Sequence, residues 1–369
     1  MEIIILVFSI IALVYFLNIL WLIYGFTKVK HFETDEMEPK TKFSIVVPFR
    51  NETESLPKLL YSISLLNYPN DLFEVILDDD DSENTFLFSV FNFKISLIDN
   101  VRKSNSPKKD AINTAIAIAE NDWIITTDAD CLVHKNWLKT IACYIQKNNP
   151  KMIAAGVIYR THGTFIDAFQ QLDLLSLQGT TIGSFGNHQA FICNGANFCY
   201  QKTFFNELNG FDGNESIASG DDVFLLQKAI QKDKSNVHFL KSVAAVVQTK
   251  TEKTWNNLFF QRVRWASKTG NYTSFYSKQL GLSVLLMNLI WLLVVGLWLI
   301  RQVDHDFIVP YIALKFFLDF ILLYQTSNFF KTRLRYVLSS SLIYPFFCTG
   351  VAIYSLFGSY TWKGRVFKK

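Results

Sequence analysis

Apolar residues run unbroken at the two ends of the chain and recur in short, punctuated blocks through its middle. From Ile3 to Tyr24, "IIILVFSIIALVYFLNILWLIY" carries no charge, which is long enough to cross a bilayer core as a helix. It exceeds the apolar core of a typical signal peptide and ends in no small-residue cleavage pattern, so a retained anchor over 1–27 is expected. A second clean run, Leu280 to Ile300, leads into Arg301 and reads as a transmembrane helix. Phe307–Tyr324 contains Lys315 and Asp319, and Tyr336–Phe357 contains Pro345, so each can either span or lie in the interface. Lys315 and Asp319 are spaced to pair on one helix face, which favours a neutralised structural pair over an ion path. Lys28 and Lys30 follow the first run while Glu2 precedes it, which predicts an outside N-terminus and cytosolic residues 28–279 in an inner-membrane protein. Three further spans would put the basic tail over 359–369 outside, against the same tendency, so one late segment has the option of being re-entrant or interfacial.

The middle reads as alternating strands and helices. "KFSIVVPFRNE" (42–52), "LFEVILDDDD" (72–81) and "DWIITTDAD" (122–130) have the composition of buried strands. "SLPKLLYSISLL" (55–66) and "KKDAINTAIAIAE" (108–120) have helical apolar spacing, with Ser55 as a cap. This order predicts a mainly parallel α/β sheet over 40–250, with ligands at the carboxyl ends of the strands. The polar segment 31–42, ended by Pro39, reads as a linker, and "FIDAFQQLDLLSLQG" (165–179) as a packing helix. "TWNNLFFQRVRWASK" (254–268) sets Trp255, Leu258, Phe259 and Val263 near one helical face, the pattern of a helix lying on a membrane within an interfacial region 251–279, ahead of apolar helices over 280–358.

Composition agrees with membrane residence: half of the 369 residues are apolar and 34 are Phe. The five cysteines form no CxxC and no ligand pattern with the six histidines, which argues against a zinc or disulfide framework. The net charge of +4 is spread thinly and not interleaved with aromatics, which points to an anionic bilayer surface as partner and not to nucleic acid.

Two predicted strands end in acids. In an extended segment Asp128 and Asp130 face the same side and can approach one cation, Mg2+ or Mn2+ by their hard oxygen donors. Solvated turn carboxylates would look the same in isolation. Here the pair is followed by "CNGANFCYQKTFFNELNGFDGNESIASGDDVFLL" (193–226) and "QRVRW" (261–265). In that order the chain resembles the membrane-bound family 2 glycosyltransferases, the group that includes cellulose, hyaluronan and poly-N-acetylglucosamine synthases and ceramide glucosyltransferase.

That resemblance implies a GT-A-like α/β domain with N- and C-terminal transmembrane helices. It implies transfer of a sugar from a UDP-sugar to a lipid or glycan acceptor, inverting and metal-dependent. Carried onto this chain, it implies nucleotide contacts from Pro48, Arg50, Glu52, Asp79, Asp80, Lys109 and Asp128, with Lys108 fitting Lys109's role equally on spacing. Asp78 stands where the family usually has an aliphatic residue, so the register of Asp78–Asp81 stays open by one, with Asp80 the chosen contact. Asp128 and Asp130 match the metal-holding DxD, Asp222 the general base, and Gln261, Arg264 and Trp265 the QxxRW set; Asn194, Gly195, Asp221 and Trp265 are expected on the acceptor side. A processive polysaccharide synthase is the alternative within the family, and a membrane partner protein or homo-oligomer would favour it. From other classes, a scaffold or transporter subunit would need polar features in the spans that are nearly absent. A nucleotidyltransferase leaves "GDD" followed by "QRVRW" without a role.

Overall fold

The computed structural model describes residues 2–83, 90–215, 217, 219–303, 305–362 and 365–367. In chain order the elements are α1 (Glu2–Lys28), β1 (Phe43–Phe49), α2 (Leu56–Ser64), β2 (Phe73–Asp79), β3 (Lys94–Asp99), α3 (Pro107–Ile118), β4 (Trp123–Thr126), α4 (Trp137–Asn148), β5 (Met152–Ala155) and β6 (Val157–Arg160). They continue with α5 (Phe165–Gly186), β7 (Phe198–Gln201), α6 (Lys202–Glu207), α7 (Asp221–Asp233), β8 (Val237–Leu240), β9 (Val247–Lys250), α8 (Trp255–Ser267), α9 (Phe275–Leu299), α10 (His305–Phe330), α11 (Val337–Phe357), β10 (Tyr360–Trp362) and β11 (Arg365–Phe367). They fall into two compact units: an α/β unit of residues 29–160 and 190–250, and a helical unit of 1–28, 161–189 and 251–369.

The α/β unit is built on a seven-stranded sheet of order β3-β2-β1-β4-β7-β5-β8, parallel except for β7. The strands β1 and β2 are buried nearly throughout, as a parallel sheet covered on both faces requires. On one face Ile45, Val47, Val75 and Leu77 meet Leu56, Leu59, Leu60 and Ile63 of α2, whose spacing predicts this stripe. Helix α3 packs against the same two strands. Asn51 and Asp81 both take left-handed backbone (φ 54° and 64°), turning the chain away just past β1 and β2. A separate parallel pair, β6 and β9, sets Tyr159 opposite Thr249 and Arg160 opposite Lys250.

The predicted strand over 122–130 is shorter than expected. Pairing of β4 with β7 ends at Thr126 opposite Phe198, and a turn closed by Cys131 N donating to Asp128 O (3.0 Å) carries the two carboxylates. The pleat therefore does not orient Asp128 and Asp130; the turn does.

Among the described residues of the helical unit four helices are long and apolar enough to cross a membrane: Leu6–Lys28, Phe275–Leu299, Val309–Phe330 and Val337–Phe357. Helix α5 begins with a capping box between Thr164 and Asp167 and crosses α1 at glycines. Gly183 lies against the backbone of Leu22, and Gly186 against that of Gly25, so neither leaves room for a Cβ. Lys315 donates to Asp319 (2.7 Å), whose other oxygen accepts from Tyr15 OH (2.5 Å), so the charges of this pair are neutralised locally.

Candidate functional site

Three groups of polar side chains gather where β1, β2 and β4 end. In the first, Asp80 accepts from Asn100 Nδ2 (2.8 Å) and lies 3.4 Å from Arg102 Nη1, while Arg50 Nη1 donates to the Asp80 carbonyl (2.8 Å) and to Asp81 (3.3 Å). Asp79 instead caps the turn, accepting from Ser82 N (3.0 Å) and Ser82 Oγ (2.5 Å). The two acids therefore differ in use: Asp79 shapes the turn and Asp80 faces the cations. The loop that brings Asn100 and Arg102 here is held by buried Asp110, which accepts from Lys103 N and Ser104 N (3.0 and 2.8 Å). Asp78, beside Pro48 on β1 and Ile98 on β3, is fully buried, and neither of its oxygens meets a hydrogen-bond partner. Burial, followed by the charges of Asp80, Asp79 and Asp99, pushes its carboxyl up to about 8.

The second group centres on Lys108. Its ammonium donates to Asp128 (2.7 Å) and lies 3.5 Å from Asp221. Burial opposes its charge, but Asp128, Asp221 and Asp222 outweigh burial and hold it above the ordinary lysine range. Asp222 accepts from Gly195 N (2.9 Å) and from Val223 N (2.7 Å), which fixes its carboxylate at the start of α7. A Cβ at Gly195 would stand 3.0 Å from Asp221 Oδ2, so the close approach depends on glycine there. Asn194 caps its own loop through Ala196 N (3.0 Å). Asn197 is buried, accepting from Trp137 Nε1 and donating to the carbonyls of Gly156 and Ala245, so it holds the loop in place.

The third group surrounds Asp130. Thr249 Oγ1 donates to it (3.3 Å), Arg160 Nη2 donates to its carbonyl (3.1 Å), and Lys250 lies 3.8 Å from its carboxylate while also reaching Glu52 (3.2 Å). The β6–β9 pair supplies all three partners.

The predicted residues Arg50, Glu52, Asp80, Asp128, Asp130, Asp221, Asp222 and Gly195 thus share these groups, with half-buried Pro48 at the end of β1. Lys109 does not join them: it is buried, donates to the carbonyls of Asn214 (2.6 Å) and Ile217 (2.9 Å), and lies over the Phe224 ring. Sequence reasoning missed Asn100, Arg102, Asp110, Arg160, Thr249 and Lys250. Their only signal is a charged loop before a helix and two polar strand ends far along the chain. Gln261, Arg264 and Trp265 lie on α8 in the helical unit.

Among the described residues no three acidic, His or Cys side chains cluster as a metal-ligand set. Asp128 and Asp130, with side chains 39% and 24% exposed, offer two carboxylates, a donor set that suits Mg2+ or Mn2+ completed by water and phosphate oxygens.

With this geometry in view, residues 44–208 match the family model described as Glycosyl transferase family 2. Among curated proteins, the poly(ribitol-phosphate) beta-N-acetylglucosaminyltransferase TarS of Staphylococcus aureus is 30% identical over 118 residues, covering 30% of this chain and 20% of TarS. The probable glycosyltransferase YdaM of Bacillus subtilis is 22% identical over 243 residues, 63% of this chain and 56% of YdaM. The chain thus spans between a fifth and just over half of the length of these relatives. Among solved structures, the mannosyltransferase PcManGT from Pyrobaculum calidifontis, in complex with GDP-Man and Mn2+, aligns over 96% of this chain and 98% of its own with a TM-score of 0.55 at 14% identity. The fold of the chain is GT-A-like.

Proposed function

We propose that the protein is an inverting, metal-dependent glycosyltransferase that moves a sugar from a UDP-sugar to a membrane-associated acceptor, a lipid or a growing glycan. The observation that carries this reading is the convergence of Asp80, Asp128, Asp130 and the Asp221–Asp222 pair at one sheet edge of a family 2 domain. TarS acts as an N-acetylglucosaminyltransferase by its name, and PcManGT binds a nucleotide sugar with Mn2+; both agree with a nucleotide-sugar donor.

Asp80, set by Asn100 and Arg102, is suited to accept from an N–H on the base edge, with Arg50 and Asp79 at the same turn and Pro48 and Glu52 assigned as further nucleotide contacts. Asp128 and Asp130 would hold the cation. Bound there, Mg2+ or Mn2+ would neutralise the charge that develops on the departing nucleoside diphosphate. Lys108, between Asp128 and Asp221, supplies a fixed positive charge at the same edge. Asp222 is the proposed base: two backbone N–H groups orient it to take the acceptor hydroxyl's proton, and inversion needs no covalent nucleophile. Arg264 is assigned to the diphosphate and Trp265 to the acceptor, with Asn194, Gly195 and Asp221 lining the acceptor side. The apolar helices fit an acceptor delivered from a bilayer.

The test is UDP release by the purified protein in detergent with Mg2+ or Mn2+, a panel of UDP-sugars and membrane lipid extract. Release with one sugar, lost in Asp130→Asn and Asp222→Asn, supports the reading; sizing the labelled product separates single transfer from polymerisation. A folded protein that neither binds UDP nor releases it from any donor overturns it.

A further inference from the structure

Arg262 belongs to none of the predicted site residues, yet it is among the most enclosed charges of the helical unit: it is 5% exposed, and its partner Asp173 on α5 is 7% exposed. Arg262 Nε meets Asp173 Oδ2 at 2.5 Å, its Nη1 donates to the Gln261 side-chain oxygen, and its guanidinium covers the Trp265 ring at 4.2 Å. Gln261 in turn donates to Glu252 (2.9 Å). Glu252 is locked to Gln170 by a pair of bonds, N to Oε1 (2.8 Å) and Nε2 to O (3.0 Å), and Thr251 donates to Asp167 (2.7 Å). Asp167, Gln170 and Asp173, three residues apart on one side of α5, therefore grip the approach to α8 and two of the three QxxRW side chains.

A buried ion pair of this kind seldom adds stability over apolar residues of the same volume, but it fixes geometry, and an Arg fork fixes more than one partner at once. We infer that Asp173 and Arg262 are positioning residues: through Arg262, the α5 helix sets the orientation of Gln261 and Trp265 for the acceptor. This rests on the transferase reading above. Because the guanidinium lies on one face of the indole, an acceptor ring meets Trp265 on the opposite face or the edge, so the platform takes one ring and not a sandwich.

The test uses the full chain in detergent: Arg262→Lys, Asp173→Asn, and the apolar pair Asp173→Leu with Arg262→Leu, beside Trp265→Ala. The expected result is UDP affinity and donor KM within twofold of wild type throughout, with kcat at least tenfold lower and acceptor KM raised in all three variants. The apolar pair keeps the wild-type melting temperature without regaining turnover, which a purely structural pair would not do. Turnover and acceptor KM within twofold of wild type in Arg262→Lys and in the apolar pair, while Trp265→Ala is inactive, would overturn the positioning role and leave the transferase reading intact. Absence of UDP release from wild type would instead remove the transferase reading and this role with it.

Discussion

Asp78 offers a test at the carboxyl end of the sheet that needs no substrate. It is a fully buried carboxyl whose oxygens meet no hydrogen-bond partner, and burial together with Asp80, Asp79 and Asp99 pushes it from 3.8 to about 8. In the folded protein at pH 7 it is therefore mainly neutral, whereas in the unfolded chain it is ionised. A raised carboxyl pKa gives a stability contribution that is complete below the unfolded value of 3.8, is lost as pH rises toward 8, and is constant beyond it. At 1.36 kcal/mol per unit of separation, the loss by pH 7 is on the order of 4 kcal/mol. Asp78→Val removes it with a residue suited to a buried strand. At about 2–4 °C per kcal/mol for a unit the size of the α/β unit that holds Asp78, the transition of that unit in the variant lies on the order of 10 °C higher at pH 7. The assay is a thermal melt of both proteins in detergent from pH 5 to pH 9, read as the difference between the two curves, which cancels the other carboxylates. The difference should widen between pH 5 and pH 8 and then level. Parallel curves, or a variant that melts lower at every pH, would refute the buried neutral acid.

Lys109→Met leaves the carbonyls of Asn214 and Ile217 without their buried donor, at a cost of about 1–3 kcal/mol in stability; UDP affinity measured by titration should stay within about twofold, as for a clamp and unlike a nucleotide contact. Lys108→Met leaves Asp128 and Asp221 without their shared cation and should weaken UDP binding about tenfold, equivalent to roughly 1.4 kcal/mol in the same titration. Gly186→Ala, at the last residue of α5, should lower the melting temperature, because its Cβ would meet the Gly25 backbone. A stabilised Gly186→Ala protein would show that α1 and α5 are not in close contact.

Much of this protein was legible as pattern. The alternation of strands and helices, the apolar runs and the helical stripe of 55–66 follow from periodicities that a chain cannot disguise, because each strand or helix must bury a face of fixed spacing. Acid-ended strands pointed to one sheet edge, since parallel strands deliver their carboxyl ends together. What periodicity cannot specify is the partner across the fold. Sequence spacing left Lys108 and Lys109 equivalent, and tertiary packing sends one to Asp128 and the other to a loop over a hundred residues away. The pleat was expected to orient Asp128 and Asp130; pairing with β7 ends the strand first, so a turn sets them instead, each beside a lysine from a different element. An amphipathic pattern put α8 at a surface, yet Arg262 is buried because Asp173, nearly ninety residues earlier, neutralises it. The sequence by itself determined the elements and the chemistry available at their ends, because both are set by local spacing. Only the tertiary structure decided which charges face which, because that depends on contacts between residues that no local period connects.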